Sequence, residues 1–150
     1  MAGTFTNLNY HLVFSTKHRR PMISEEIRPR LYAYLGGIIK DDDGVLYQIG
    51  GMPDHVHLLI RYKPARDISH LMQDLKSHSS GWVHKTFSGH DQFQWQEGYG
   101  AFTVSKSQCA RVQKYIANQE GHHQNRDFKS EFIALLNAHG CEYDEKYIWD

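Results

Sequence analysis

Every second position is apolar at Tyr10, Leu12 and Phe14 along an aromatic and β-branched run from Tyr10 to Thr16, which predicts a strand. Val45 to Gly50 and His55 to Tyr62 predict two further strands, with Gly50, Gly51 and Pro53 breaking the chain between them. A fourth strand is expected from Gly100 to Ser105. Ser24, followed by Glu25, Glu26 and Ile27, has the form of an N-cap with acids in the first turn. It predicts a helix to about Lys40, with Pro29 in its early turns and Asp41-Asp42-Asp43-Gly44 as the turn after it. Ile68, Leu71, Met72, Leu75, Trp82 and Val83 recur at helical spacing and predict a helix over about 67–86. Residues 88–97, with Gln92, Gln94 and Gln96, read as a polar loop. Ser107 opens a helix through about His122, and Phe128, Phe132, Leu135 and Leu136 mark another, ended by Gly140. The first six elements follow the split βαβ order. The expected fold class is therefore α+β, ferredoxin-like: a four-stranded antiparallel sheet with helices on one face, plus C-terminal helices forming an appendage at about 125–150.

With 150 residues the chain has the size of one domain, read as spanning 1–150, and 40% hydrophobic residues suffice for a real core. No run approaches 18 apolar residues, so no membrane span is expected. The opening Met-Ala-Gly-Thr-Phe-Thr-Asn lacks the basic and apolar regions of a secretory leader. Cys109 and Cys141 are too few for a disulfide scaffold and lack metal-ligand spacing, so two free thiols in a reducing, cytoplasmic setting are expected. Seventeen basic and seventeen acidic residues cancel, so a global field for nucleic acid is absent and any attraction must be local. Lys17, His18, Arg19 and Arg20 form one such basic cluster, a candidate phosphate-contact loop or an ordinary solvated turn.

Two constellations could carry chemistry. In His55-Val56-His57 the imidazoles lie two apart on a strand, so both point to one face and can converge on one ion, while Val56 joins Leu58 and Ile60 on the other. Eleven histidines make such a pair expected by chance roughly 0.8 times, so alone it is weak. Tyr115 and Gln119 stand four apart on a predicted helix, one turn apart on one face, with Arg111 and His122 on the same stripe and Val112 and Ile116 turned to the core. A phenol can act as a nucleophile and an amide oxygen can ligate a hard cation. An amphipathic helix with a border tyrosine is the plainer reading. Gly98-Tyr99-Gly100 reads as the turn into the fourth strand.

Taken together these segments stop being independent. Met52-Pro53-Asp54-His55-Val56-His57-Leu58-Leu59-Ile60, then Trp95-Gln96-Glu97-Gly98-Tyr99-Gly100-Ala101-Phe102-Thr103-Val104-Ser105, then Tyr115-Ile116-Ala117-Asn118-Gln119-Glu120-Gly121-His122-His123 resemble the single-tyrosine HUH transposases of small bacterial insertion sequences, with the REP-associated tyrosine transposases as relatives. The resemblance runs from about residue 5 to the C-terminus, and the opening Tyr10 to Lys17 with Arg19-Arg20 is similar to the family's first strand. It implies His55, His57 and Gln119 as ligands of Mg²⁺ or Mn²⁺ and Tyr115 as nucleophile. It also implies a homodimer acting on single-stranded DNA beside a subterminal hairpin, with transfer through a 5′-phosphotyrosine. Lys17, Arg19, Arg20 and Arg111 are the expected DNA contacts, and His122 is a candidate proton acceptor for Tyr115. Whether one chain or two build the site stays open.

Two other readings compete. A ferredoxin-like sheet can bind single-stranded nucleic acid without cutting it, which needs neither metal nor tyrosine. A phosphoesterase could use His55 and His57 with water and leave Tyr115 idle. The His pair, Tyr115 and Gln119 together favour the strand transferase.

Overall fold

Asn9–Ser15 and His55–Arg61 form the central strands β1 and β3, since nearly every side chain on them is apolar or finds a buried partner. Val45–Met52 forms β2 and Gly100–Val104 forms β4, giving an antiparallel sheet in the order β2-β3-β1-β4. Val13 pairs with His57 and Ser15 with His55, which sets the register around the histidine pair. This computed structural model describes residues 3–150, so Met1 and Ala2, where the leader-free and single-domain readings begin, lie outside the described residues.

Side chains alternate across this sheet, and each face has its own cover. Leu12, Phe14, Val56, Leu58 and Ile60 pack against α1 (Arg28–Asp41) and α2 (Ile68–Thr86) through Leu31, Leu35, Ile39, Leu71, Met72, Leu75 and Val83. On the other face Leu59 and Val104 meet Ile116 and Cys109 of α3 (Cys109–Ala117), while Val13 and Phe102 meet Phe128, Phe132 and Leu136 of α5 (Phe128–Ala138). The short α4 (Gln119–His122) lies between α3 and α5 in the chain. The ferredoxin-like layer therefore carries its C-terminal helices on the face opposite α1 and α2, which is the face of His55 and His57. Two covered faces explain why β3 is buried at both parities, apolar at Val56, Leu58 and Ile60 and carrying the two histidines on the other face.

Three local departures from the sequence pattern have clear causes. Ser24 does cap a turn, its Oγ accepting from Ile27 N at 3.4 Å, but regular helix starts only at Arg28, with Pro29 in its first turn. Gly50 and Gly51 do not break the chain: they are paired within β2, opposite His57 and Val56, and only Pro53-Asp54 turns. The expected helix over 107–122 is divided at Asn118 (φ −103°, ψ 32°), which separates Tyr115 from Gln119. Asp67 caps α2 through His70 N at 2.7 Å, and Gly140 ends the turn after α5 at φ 65°. Cys109 and Cys141 are free, and among the described residues no helix is long and apolar enough to cross a membrane.

Candidate active site

Strand parity brings His55 and His57 to one face, and the helices on that face decide what they meet. His55 and His57 are fully buried, and their Nε2 atoms turn toward the carboxylate of Glu131, at 3.3 and 3.1 Å from Oε1. One donor atom from each of His55, His57 and Glu131 lies within 4.8 Å of the others. Gln119 joins them, its Oε1 2.9 Å from His55 Nε2 and its Nε2 donating to Glu131 Oε2 at 3.0 Å. His123 Nε2 adds contacts of 3.1 Å to Gln119 Oε1 and 3.0 Å to Glu131 Oε1. The Tyr115 hydroxyl donates to Glu131 Oε2. Of the residues singled out by sequence, His55, His57, Gln119 and Tyr115 thus meet in one place, within one chain.

A second layer holds the imidazoles. Asp54 Oδ1 lies 2.7 Å from His55 Nδ1, and His11 Nε2 lies 2.8 Å from His57 Nδ1. Groups on Nδ1 leave Nε2 as the inward atom of both rings, the arrangement that orients a histidine ligand. Burial opposes charge on His55, but Asp54, Glu131 and Gln119 outweigh it and raise its pKa to about 9. Burial, with His57 adding to it, lowers His11 to about 3, so the His11–His57 bond is shared by neutral rings at His11's end. His57 is likewise held below the ordinary histidine value by its complete burial. Burial works against the Glu131 carboxylate, yet hydrogen bonds from His55 and His57 overcome it and keep the group ionised. Burial and then the Glu131 contact push the Tyr115 phenol well above its usual value. The hydroxyl is therefore a protonated donor whose proton already faces a carboxylate.

Glu131, His11, His123 and Asp54 were not picked out from the sequence. Glu131 had a signal: it falls three positions after Phe128 and one before Phe132, on the apolar stripe of α5, where a lone carboxylate demands a partner. His122 lies outside the cluster: it is exposed, and its ring rests on that of Tyr115 with centroids 4.5 Å apart. Arg111 is exposed on α3, on the edge of a cleft that includes Tyr115.

The basic loop leaves β1 at the His55 end of the sheet, where Thr16 Oγ1 donates to Asp54 O at 3.1 Å. Lys17–Arg19 form a 3₁₀ turn in which His18 and Arg19 take positive φ of 56° and 54°. Arg19 stacks over Trp149 at 5.2 Å and donates to its carbonyl at 3.2 Å, Lys17 is half-buried, and Arg20 is exposed. The neighbouring segment from Trp95 to Gly98 is tied down by Lys76, whose Nζ donates to the carbonyls of Gln96, Glu97 and Gly98.

A ferredoxin-like sheet with a His-x-His pair on a central strand, and a tyrosine and glutamine delivered by the following helices, defines the single-tyrosine HUH transposases. The family described as "Transposase IS200 like" matches residues 4–119, and the chain belongs to it. The ISDra2 transposase TnpA of Deinococcus radiodurans is 30% identical over 125 residues, 78% of this chain and 87% of that protein. The transposase for insertion sequence element IS200 of Salmonella typhimurium is 30% identical over 125 residues, 79% of this chain and 81% of its own length. A crystal structure described as a candidate transposase from Deinococcus radiodurans superposes with a TM-score of 0.64 at 30% identity, over 79% of this chain and 95% of that one. A REP-associated tyrosine transposase bound to a REP hairpin shares the fold, with a TM-score of 0.61 at 13% identity over 83% and 75% of the two chains.

Proposed function

We propose that this transposase cleaves and rejoins single-stranded DNA at the ends of a mobile element through a 5′-phosphotyrosine on Tyr115. The observation that carries the reading is the hydrogen bond from the Tyr115 hydroxyl to Glu131, the same carboxylate that His55 and His57 face. It sets a nucleophile, an acceptor for its proton and a set of cation ligands side by side.

The donor set fits a small divalent cation such as Mg²⁺ or Mn²⁺: two imidazole nitrogens, the Gln119 amide oxygen and a Glu131 oxygen, with the nitrogens tilting the choice toward Mn²⁺. Such an ion, when bound, polarises a non-bridging oxygen of the scissile phosphate. The chain's own groups do the rest. Tyr115 Oη attacks phosphorus and gives its proton to Glu131 Oε2. The bond from phosphorus to the 3′-oxygen breaks in line, and that oxygen leaves as a 3′-hydroxyl once it takes up a proton. Phosphodiester energy is kept in the tyrosine ester, so a second DNA 3′-hydroxyl can attack and release Tyr115. Asp54 and His11 hold the two imidazoles, Glu131 rather than His122 takes the proton, and His122 supports the tyrosine ring. Lys17, Arg19 and Arg20 form a surface for a hairpin beside the cut, with Arg20 the freest of the three. A homodimer would bring two such sites to the two ends of one element.

The test is Tyr115→Phe, incubated beside the unaltered protein with labelled single-stranded element ends and Mn²⁺. The unaltered protein is expected to form a covalent adduct, and Tyr115→Phe to form none while binding DNA as before. An adduct on Tyr115→Phe would remove Tyr115 as nucleophile. Binding without any adduct in the unaltered protein would favour a non-catalytic single-strand binding module.

A further inference from the structure

Between α3 and α5 lies a cleft of about 630 Å³ that opens from the Tyr115 side of the cluster. Its buried members are His11, Val104 and Glu131. From Glu131 the α5 side runs through Ala134, Leu135 and Ala138, at helical spacing of one face. The α3 side runs from Tyr115 through Val112 and Arg111 to Gln108 with the same spacing. Two alanines on α5, where larger residues would close the gap, leave the space open. Arg111 and Arg126 are its strong cations, and Glu131, engaged by His55, His57 and Tyr115, is its one carboxylate. α5 lies beyond residues 4–119, the stretch shared with the family.

We infer that this cleft is a nucleotide subsite: it takes the unpaired nucleotide next to the scissile phosphate, and α5 supplies half of it. The inference rests on the transposase reading for its substrate class. An apolar slot with convergent polar groups and a volume of a few hundred Å³ has the form of a small-ligand site. Leu135 and Val112 offer apolar surface to a base. Arg111 and Arg126 offer charge to the phosphates that flank it. Gln108 and Thr103, both exposed on the cleft, can bond base edges and so read sequence. A slot closed by a helix on each side admits one strand, so the subsite selects unpaired DNA where the neutral net charge of the chain cannot.

Two variants test it, both at exposed positions: Ala138→Trp, which fills the slot, and Arg111→Gln, which removes one cation. The probes are fluorescent single-stranded dT12, dA12 and dC12, titrated across a salt series, with Mn²⁺ affinity and Tm measured alongside. The unaltered protein is expected to bind at least one probe, and Ala138→Trp to bind it about tenfold or more weakly with Mn²⁺ affinity unchanged. Arg111→Gln should flatten the salt dependence by about 0.7 in log–log slope, the value of one single-strand phosphate contact. Equal affinity in Ala138→Trp, an unchanged slope in Arg111→Gln, or no binding of any probe by the unaltered protein would each overturn the subsite. Adduct formation on Tyr115 separates the two ideas. Adduct formed equally well by Ala138→Trp removes the subsite and keeps the transposase reading. Probe binding lost in Ala138→Trp, with no adduct in any sample, keeps the subsite and removes that reading.

Discussion

Glu131 divides its two oxygens between different tasks. Oε1 faces His55, His57 and His123, and Oε2 holds Gln119 and the hydroxyl of Tyr115. Glu131→Gln keeps the shape but accepts a proton poorly, so cleavage should slow by about 10²–10⁴, the usual worth of a positioned acid–base group. Adduct formation measured at saturating Mn²⁺ checks this, because saturation separates proton transfer from ligation. A rate near that of the unaltered protein would return the proton to His122 or solvent. His55 yields a second expectation. Asp54, Glu131 and Gln119 hold its pKa at about 9, above the ordinary value of 6.5. In metal-free protein the resulting stability is complete below pH 6.5 and is lost as pH rises through about 9. A divalent cation must displace the same proton, so its apparent affinity should rise over that window. The rise in Tm caused by Mn²⁺ should therefore grow from pH 6.5 to pH 9, and Asp54→Asn should weaken the trend. A Tm increment that is flat with pH would count against His55 as a ligand.

Secondary-structure elements place these residues through a few close approaches. A Cβ built on Gly50 of β2 would stand 2.3 Å from the carbonyl oxygen of Ile116, next to Tyr115 in α3. Gly50 is thus the notch in which the end of the Tyr115 helix rests, and Gln113 Nε2 adds a hydrogen bond to Tyr47 O at 3.2 Å. Gly50→Ala should push α3 outward, costing about 1–3 kcal/mol as overpacking does. It should lower adduct formation well beyond its effect on single-strand binding; equal loss of both would mean general unfolding instead. The notch also marks what could be read from the sequence. The sheet was legible because Leu12, Phe14, Val56, Leu58 and Ile60 keep a strict period of two. The histidine pair was legible because the same period puts both rings on one face. The sequence shows Gly50 only as a chain break, because its partner, Ile116, is remote in sequence and nothing local shows the contact. The division at Asn118 was hidden for a similar reason: Tyr115 and Gln119 satisfy helical spacing whether or not the helix is continuous. His11 shares its strand face with Asn9, Val13 and Ser15, so one more polar residue there did not stand out. Glu131 broke an apolar stripe visibly, but its partners lie 74 and 16 positions away, at His57 and Tyr115.

A single chain brings the residues of the candidate site together. β3 supplies the imidazoles, β1 and the hairpin supply His11 and Asp54 behind them, and α3, α4 and α5 supply Tyr115, Gln119 and Glu131 on the same face. The resemblance left open whether the tyrosine helix serves its own chain or a partner. Here α3 follows β4 after a single 3₁₀ turn, Lys106–Gln108, and buries Ile116 against Leu59 and Val104 of its own sheet. To serve a second copy it would have to leave its own Gly50 notch and reach the partner's identical sheet across a tether of a few residues. Docking within the chain is therefore favoured even if two copies associate. This leads to a complementation experiment with a definite sign. Tyr115→Phe lacks the proposed nucleophile, and His57→Ala lacks a proposed ligand on the sheet. If each chain builds its own site, every site in a mixture still carries one defect, whatever the oligomeric state. Mixed in equal amounts, including after co-expression to allow subunit pairing, the two variants should form no more adduct than either alone. Restored adduct formation would mean that α3 exchanges between subunits and that the docked arrangement is one of two that the chain adopts.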